Sequence, residues 1–368
     1  MYMSTTGGKA HISTSPFIYF SVKNLAEAER DFFEHPDINP HFIYGPHFDE
    51  KFINEQLIKY QDFPVKRRRL NYVLLAKKLQ SNRRYLQDFQ AKTAEIYGLP
   101  NLDYFDRALY FITSRYGTKT ITDPALKAHI SKLEKRELVN KRTFEMMRSY
   151  FKRYFSESEP SKNLDEAIKK FFNLSNLQQN GWTLVALNNA SHAKCVQSAK
   201  QIQYGTKYKA IRKDIYAYDS IAIHEIFGHA VRETGRKPRL DDSEGWATLL
   251  EQITERSFRT KRIYRYLAAS FALGLHDGKP HDFRETYSLL YQVISLSGRY
   301  DEQHARKSAF KETVRVFRGG RPDIPGAIFT KDIAYLKGNL QIWDKLEAEP
   351  ISYEDFVNLL EGKEWLSI

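Results

Sequence analysis

His224-Glu225-Ile226-Phe227-Gly228-His229 constrains this chain more than any other stretch. Two imidazoles and a carboxylate this close in sequence have the composition of a catalytic metal site. Such a site takes nitrogen and oxygen donors from the protein and keeps one position open for water. The spacing then dictates backbone shape. Histidines at i and i+4 share a helix face, but these stand at i and i+5, roughly 140° apart around a regular α-helix. Both can reach one ion only if the helix is irregular there, and a π-bulge absorbs one extra residue. Gly228 is expected to ease the distortion through its tolerance of unusual backbone angles.

A third ligand is needed. The next apolar segment opens with Asp241-Asp242-Ser243-Glu244-Gly245-Trp246-Ala247 and continues through Glu251 and Glu255. On the residues alone, Glu244, Glu251 and Glu255 all compete, and Glu251 lies two turns beyond Glu244 on nearly the same face. Glu225, beside the first histidine, has the character of a general base that takes the proton of a metal-activated water. A purely structural metal needs no such base, which argues against an inert scaffold.

His224-Glu225-x-x-x-His229-x-x-Arg232 followed by Glu244-Gly245-x-Ala247 resembles the H-E-x-x-x-H…E-E-G-L-A signature of a metallopeptidase family. Its animal members are microtubule-associated tyrosine carboxypeptidases. The likeness continues in Arg315-Val316-Phe317-Arg318-Gly319-Gly320 and in Phe329-Thr330-Lys331-Asp332-x-x-Tyr335-Leu336-x-Gly338. Upstream, Asn39-Pro40-His41-Phe42-Ile43-Tyr44 and Ile96-Tyr97-Gly98-Leu99-Pro100 look like two further landmarks of that family. The resemblance implies one zinc ion on His224, His229 and Glu244, with Glu225 as base. It also implies that Tyr335 and Lys331 steady the developing oxyanion, and that a peptide or protein C-terminus is the substrate. Arg232, Arg315 and Arg318 are candidates to clamp a terminal carboxylate, since a guanidinium binds carboxylates bidentately; an ion pair to a nearby acid is the other reading of each. The chain departs from the family pattern at Ser243 and Trp246 and in the short segment between His229 and Glu244.

The rest of the sequence suggests a mostly helical α+β protein. We expect a polar tail over 1–20, a helical region over 21–155 and a catalytic region with a small sheet over 156–368. Asn24 and Asp123-Pro124 read as helix starts, and Gly98 ends a long helical pattern from Lys66. Trp182–Leu187 and Tyr208–Arg212 are the strand signals. Asp214 is a candidate cap for the helix carrying His224, and Thr330 for a helix over 331–346. His192, His276, His281 and His304 lack ligand spacing and are read as structural. The single Cys195 excludes an intrachain disulfide. No stretch reads as a membrane span or secretion signal, so a cytoplasmic location is expected. A net charge of +12 would steer an acidic peptide. It could also attract nucleic acid, but no recognised module surrounds the basic run Lys66-Arg67-Arg68-Arg69, which reads as a solvated helix start.

Overall fold

The computed structural model describes residues 21–22, 24–42, 44–45, 94, 97–156, 159–188, 190, 193–207, 215–234, 240–258, 260–298, 301–318 and 320–364. The basic run 66–69, most of the 66–97 helical pattern, the 208–212 strand signal, Asp214, His192 and Gly319 lie outside them. Two short strands, β1 (Ser21–Val22) and β2 (Tyr44–Gly45), pair antiparallel. Between and after them come helices α1 (Leu25–Glu34), α2 (Leu102–Tyr116), α3 (Pro124–Ile130), α4 (Lys141–Phe155) and α5 (Leu164–Leu174). A three-stranded sheet follows, made of β3 (Thr183–Leu187), β4 (Ala193–Val196) and β5 (Gln201–Gly205). The remainder is helical: α6 (Ala217–Ile223), α7 (Leu240–Glu255), α8 (Thr260–Ala272), α9 (Phe283–Ser295), α10 (Glu302–Phe317), α11 (Ile333–Ala348) and α12 (Tyr353–Leu360). The protein is therefore mostly helical with a small sheet, an α+β architecture. No helix among the described residues is long and apolar enough to cross a membrane.

Local chemistry explains most helix starts. The side chains of Asn101, Asp123, Asn140 and Asn163 each accept a backbone N–H of the first turn of α2, α3, α4 and α5. Asp282 with Glu285, and Ser352 with Asp355, form reciprocal capping boxes on α9 and α12. Each cap is worth about 1 kcal/mol. Two expected caps fail. Asn24 makes no side-chain cap and instead donates to the His41 carbonyl at 2.8 Å, so the β1–β2 region competes for its amide. Thr330 is buried in a 3-10 turn, Thr330–Asp332, and α11 begins only at Ile333. The tighter turn draws Asp332 inward toward two arginines.

The sheet also differs from expectation. Its order is β3-β5-β4, with β5 parallel to β3 and antiparallel to β4. Of the strand signals, only Trp182–Leu187 corresponds to a described strand. β4 and β5 are four and five residues long, short runs in which only Gln201-Ile202-Gln203-Tyr204 alternates polar and apolar residues. They pair because β5 is clamped from both sides and because the Tyr204 hydroxyl donates to Asp165 Oδ1 on α5 at 2.6 Å.

One apolar cluster runs from Ala28 and Phe105 to Trp343 and Leu360, crossing residue 155 without a break. At its centre α7 packs along both α11 and the segment that carries the two histidines. Contact is closest at small residues. A Cβ on Gly245 would lie 2.4 Å from the Gly338 carbonyl carbon, and one on Gly228 would lie 2.5 Å from Ala247 Cβ. The glycines and alanine of the sequence motifs are thus where three helical segments touch backbone to backbone. A buried polar network sets the α7–α11 register. Trp343 Nε1 donates to Gln252 Oε1 at 2.8 Å, Gln252 Nε2 to Asn339 Oδ1 at 2.9 Å, and Asn339 Nδ2 to the Gly245 carbonyl at 3.3 Å. Slipping either helix by a residue would strand these groups without partners, at roughly 1–3 kcal/mol each. The register fixes where Glu244 stands relative to Lys331 and Tyr335.

Candidate metal centre

α6 runs directly into a π-helix, His224–Ala230, so the irregularity that the i, i+5 spacing demands is present. The wider turn returns His229 to the side of His224, and their Nε2 atoms face each other at 3.2 Å. Gly228 has a different role from the one expected. Its φ is not positive; the residue is small because Ala247 of α7 presses against it.

α7 supplies the third donor. Glu244 Oε2 lies 3.6 Å from both Nε2 atoms, too far for a hydrogen bond, and is buried. Three donors 3.2 to 3.6 Å apart bracket the separation of about 3.3 Å that a tetrahedral ion with bonds near 2.0 Å imposes on its ligands. Three converging lone pairs are mutually repulsive, and a cation at their focus relieves that. The residues present therefore fit a divalent metal.

The groups behind the donors support this. Glu251 Oε1 lies 2.9 Å from His224 Nδ1, and the Ser243 hydroxyl is 2.8 Å from His229 Nδ1. Glu251 and the Ser243 hydroxyl stand behind the two rings, where groups that orient ligating histidines are found, and each Nε2 faces the focus. Arg262 in turn holds Glu251 at 2.8 and 2.9 Å. Glu251 thus stands behind a ligand, while Glu255 bonds to the Ser220 hydroxyl. Glu244 is the carboxylate at the focus. Burial opposes its charge, but His229, His224 and Arg262 outweigh burial and hold its pKa at about 2. His229 moves the other way, its pKa raised by Glu244 against the effect of burial.

Glu225 is set beside this triangle. Its Oε2 accepts the Cys195 N–H of edge strand β4 at 2.7 Å. Burial raises its pKa, against the pull of the two imidazoles and of the Cys195 bond. A carboxylate whose basicity is raised in this way is better suited to taking a proton near neutral pH.

Tyr335 and Lys331 both feel the Glu244 charge. For Tyr335 that charge is the largest influence, followed by burial and Asp332, and together they hold the phenol protonated as a donor. Burial and then Arg318 lower the pKa of Lys331. Arg315 and Arg318 converge on Asp332, Arg315 bidentately at 3.0 and 3.2 Å and Arg318 at 3.0 Å. They are thus engaged in the ion pair that was the alternative reading. Arg232 is only 3% exposed, stacks on the Trp246 ring at 4.9 Å, and is influenced by the Asp242 charge, so it presents little surface to a peptide. The two departures from the family pattern acquire roles here: Ser243 orients His229, and Trp246 anchors Arg232 in the core.

Sequence reasoning missed Arg262, Asp332 and the Cys195 amide. A lone arginine, an acid inside a matched motif and a backbone N–H leave no spacing signal that could have identified them.

Asp332 carries a measurable consequence. Burial alone would raise its pKa, yet Arg318 and Arg315 depress it from 3.8 to about 2. A depressed carboxylate stabilises the fold above its unfolded pKa, so this contribution is complete above pH ~4 and fades as pH falls toward 2, amounting to roughly 2 kcal/mol. Asp332→Asn should cost roughly 2 kcal/mol at neutral pH by removing the charge that the part-exposed Arg315 and Arg318 share, and should flatten the acid limb of stability. Chemical denaturation at pH 7 and pH 3 checks both effects; an unchanged acid limb would remove Asp332 from this role.

No curated protein and no solved structure matches the chain. A family match does exist in the C-terminal part, where it takes in Glu244, both arginines that meet on Asp332, Lys331 and Tyr335, and begins just after the π-helix. Residues 233–366 match the family described as microtubule-associated tyrosine carboxypeptidase.

Proposed function

We propose that the protein is a zinc-dependent peptidase that removes the C-terminal residue of a peptide, with Glu225 as general base. The observation that carries this reading is the convergence of His224, His229 and Glu244 with Glu225 beside them, in a chain whose C-terminal part matches a carboxypeptidase family. Nitrogen and carboxylate donors at tetrahedral separations suit zinc among the common ions. Bound there, zinc acidifies a water molecule and polarises the scissile carbonyl. Glu225 takes the water's proton and delivers it to the departing amine, while its bond from the Cys195 N–H keeps the carboxylate in line. The Tyr335 hydroxyl and the Lys331 ammonium donate to the carbonyl oxygen as negative charge gathers on it.

Cations near the site support a C-terminal carboxylate as the group recognised. Arg265, Arg315, Arg318 and Lys331 stand around Asp332 and Glu312, and Lys331 also senses Glu244, so this basic cluster lies on the Glu244 side of the site. Free-acid peptides should therefore be cleaved about a hundredfold faster than the same peptides with an amidated C-terminus, reflecting roughly 3 kcal/mol of lost charge-assisted bonding. Peptides ending in Tyr or Phe, with acidic residues before them, are the first to test, followed by chromatography of the products. Equal cleavage of both forms, or cuts only in the interior, would replace the exopeptidase reading with an endopeptidase one.

A further inference from the structure

The turn between α8 and α9 holds a second cluster of donors. His276, Asp277 and His281 bring one ligand atom each to within 4.8 Å of the others. Asp277 Oδ1 lies 3.2 Å from His281 Nε2 and 3.8 Å from His276 Nδ1. His276 is only 8% exposed, and its buried Nδ1 makes no hydrogen bond among the described residues. A buried ring nitrogen without a partner costs about 1–3 kcal/mol unless something else satisfies it.

The backbone around these groups is fixed in advance. Gly278 N–H donates to the Gly274 carbonyl at 2.7 Å, His281 N–H to the Ala272 carbonyl at 2.9 Å, and Gly326 N–H to the His281 carbonyl at 2.9 Å. Position 274 is suited to glycine, because its φ of +73° and the adjoining Lys279 backbone leave no room for a side chain. The Lys279 N–H donates to Asp277 Oδ1 at 3.0 Å. The two rings are held nearly parallel, 28° apart with centroids 5.1 Å apart, and Phe271 packs edge-on against His276 at 5.5 Å. On the far side of His281, Nδ1 is 3.3 Å from Glu285 Oε2. Nε2 hydrogen-bonds Asp277 Oδ1 at 3.2 Å, so a metal at this point would take the place of the proton the two share, while Glu285 keeps hold of Nδ1.

We propose that His276 Nδ1, Asp277 Oδ1 and His281 Nε2 form a second, structural binding site for a divalent transition metal such as zinc. The 3.2 Å pair already has ligand separation, and small rotations of His276 bring the third donor in. The site lies at the C-terminal end of α8, roughly 15 Å along that helix from Arg262, so it pins one end of the helix whose other end braces Glu251 and His224.

The site is tested apart from the first centre. In a His224→Ala/His229→Ala protein, zinc titrated against a chromophoric chelator should bind at one equivalent and raise the melting temperature. Adding Asp277→Asn or His281→Gln should weaken that binding at least about tenfold and abolish the thermal shift. In the otherwise unmodified chain, His281→Gln should lower the count from two equivalents to one, with an unchanged circular dichroism spectrum. This second measurement covers the case in which the combined variants do not fold. A first-centre variant that binds no zinc, or whose zinc survives both substitutions, would overturn the proposal. That outcome would leave His281 bridging Asp277 and Glu285 through its two ring nitrogens.

Discussion

Glu225→Gln is expected to keep its metal and to lose hydrolysis of a free-acid peptide by about 10²–10⁴-fold in kcat, the usual worth of a positioned proton acceptor. The substitution is close to isosteric. An amide oxygen can still accept the Cys195 N–H that holds the native carboxylate at 2.7 Å, so position is retained while basicity is lost. Because the group acts only as the proton moves, kcat and kcat/KM should fall together. Metal content by elemental analysis and steady-state rates on one peptide make the comparison. Turnover within a few-fold of the unmodified protein would remove Glu225 as the base.

The second large effect concerns the metal itself. His224→Ala, His229→Ala and Glu244→Gln should each abolish stoichiometric binding at the first centre, since three protein donors are the minimum for a stable catalytic site. Glu251→Gln should behave differently. Glu251 contacts His224 through Nδ1 at 2.9 Å and is itself held by Arg262, so its loss should weaken binding by about 10–100-fold without ending it. Zinc affinities from chelator competition separate the two classes. Full loss in Glu251→Gln with retention in Glu244→Gln would exchange their assignments.

This pair of carboxylates shows what was legible before the structure. Glu244 and Glu251 are seven residues apart, so they project within about 20° of each other from a regular helix. Periodicity cannot choose between them. They differ in height by roughly 10 Å along α7, and height relative to the π-helix is set by the Gly228–Ala247 and Gly245–Gly338 contacts and by the Gln252–Asn339–Trp343 network. The arginines are a similar case. A guanidinium near a possible substrate path and one committed to a buried acid look alike until the 3-10 turn at Thr330–Asp332 brings Asp332 inward. His276 and His281 show the converse: they stand five residues apart, as His224 and His229 do, yet read as structural, and the pinned α8–α9 turn gathers them around Asp277.

The sequence by itself determined the two histidines, the carboxylate beside the first of them and the need for a π-turn, because these follow from residue type and from the mismatch between a five-residue spacing and a 3.6-residue helix. It also determined the helix start at Asp123, where a side chain and a backbone N–H three residues on suffice, whereas tertiary contacts overruled Asn24 and Thr330. Tertiary structure decided which carboxylate completes the triangle, which acid holds the arginines and which amide holds Glu225. Each of those choices depends on distances between elements far apart in the chain, and those distances are set by close packing and buried hydrogen bonds rather than by any local spacing.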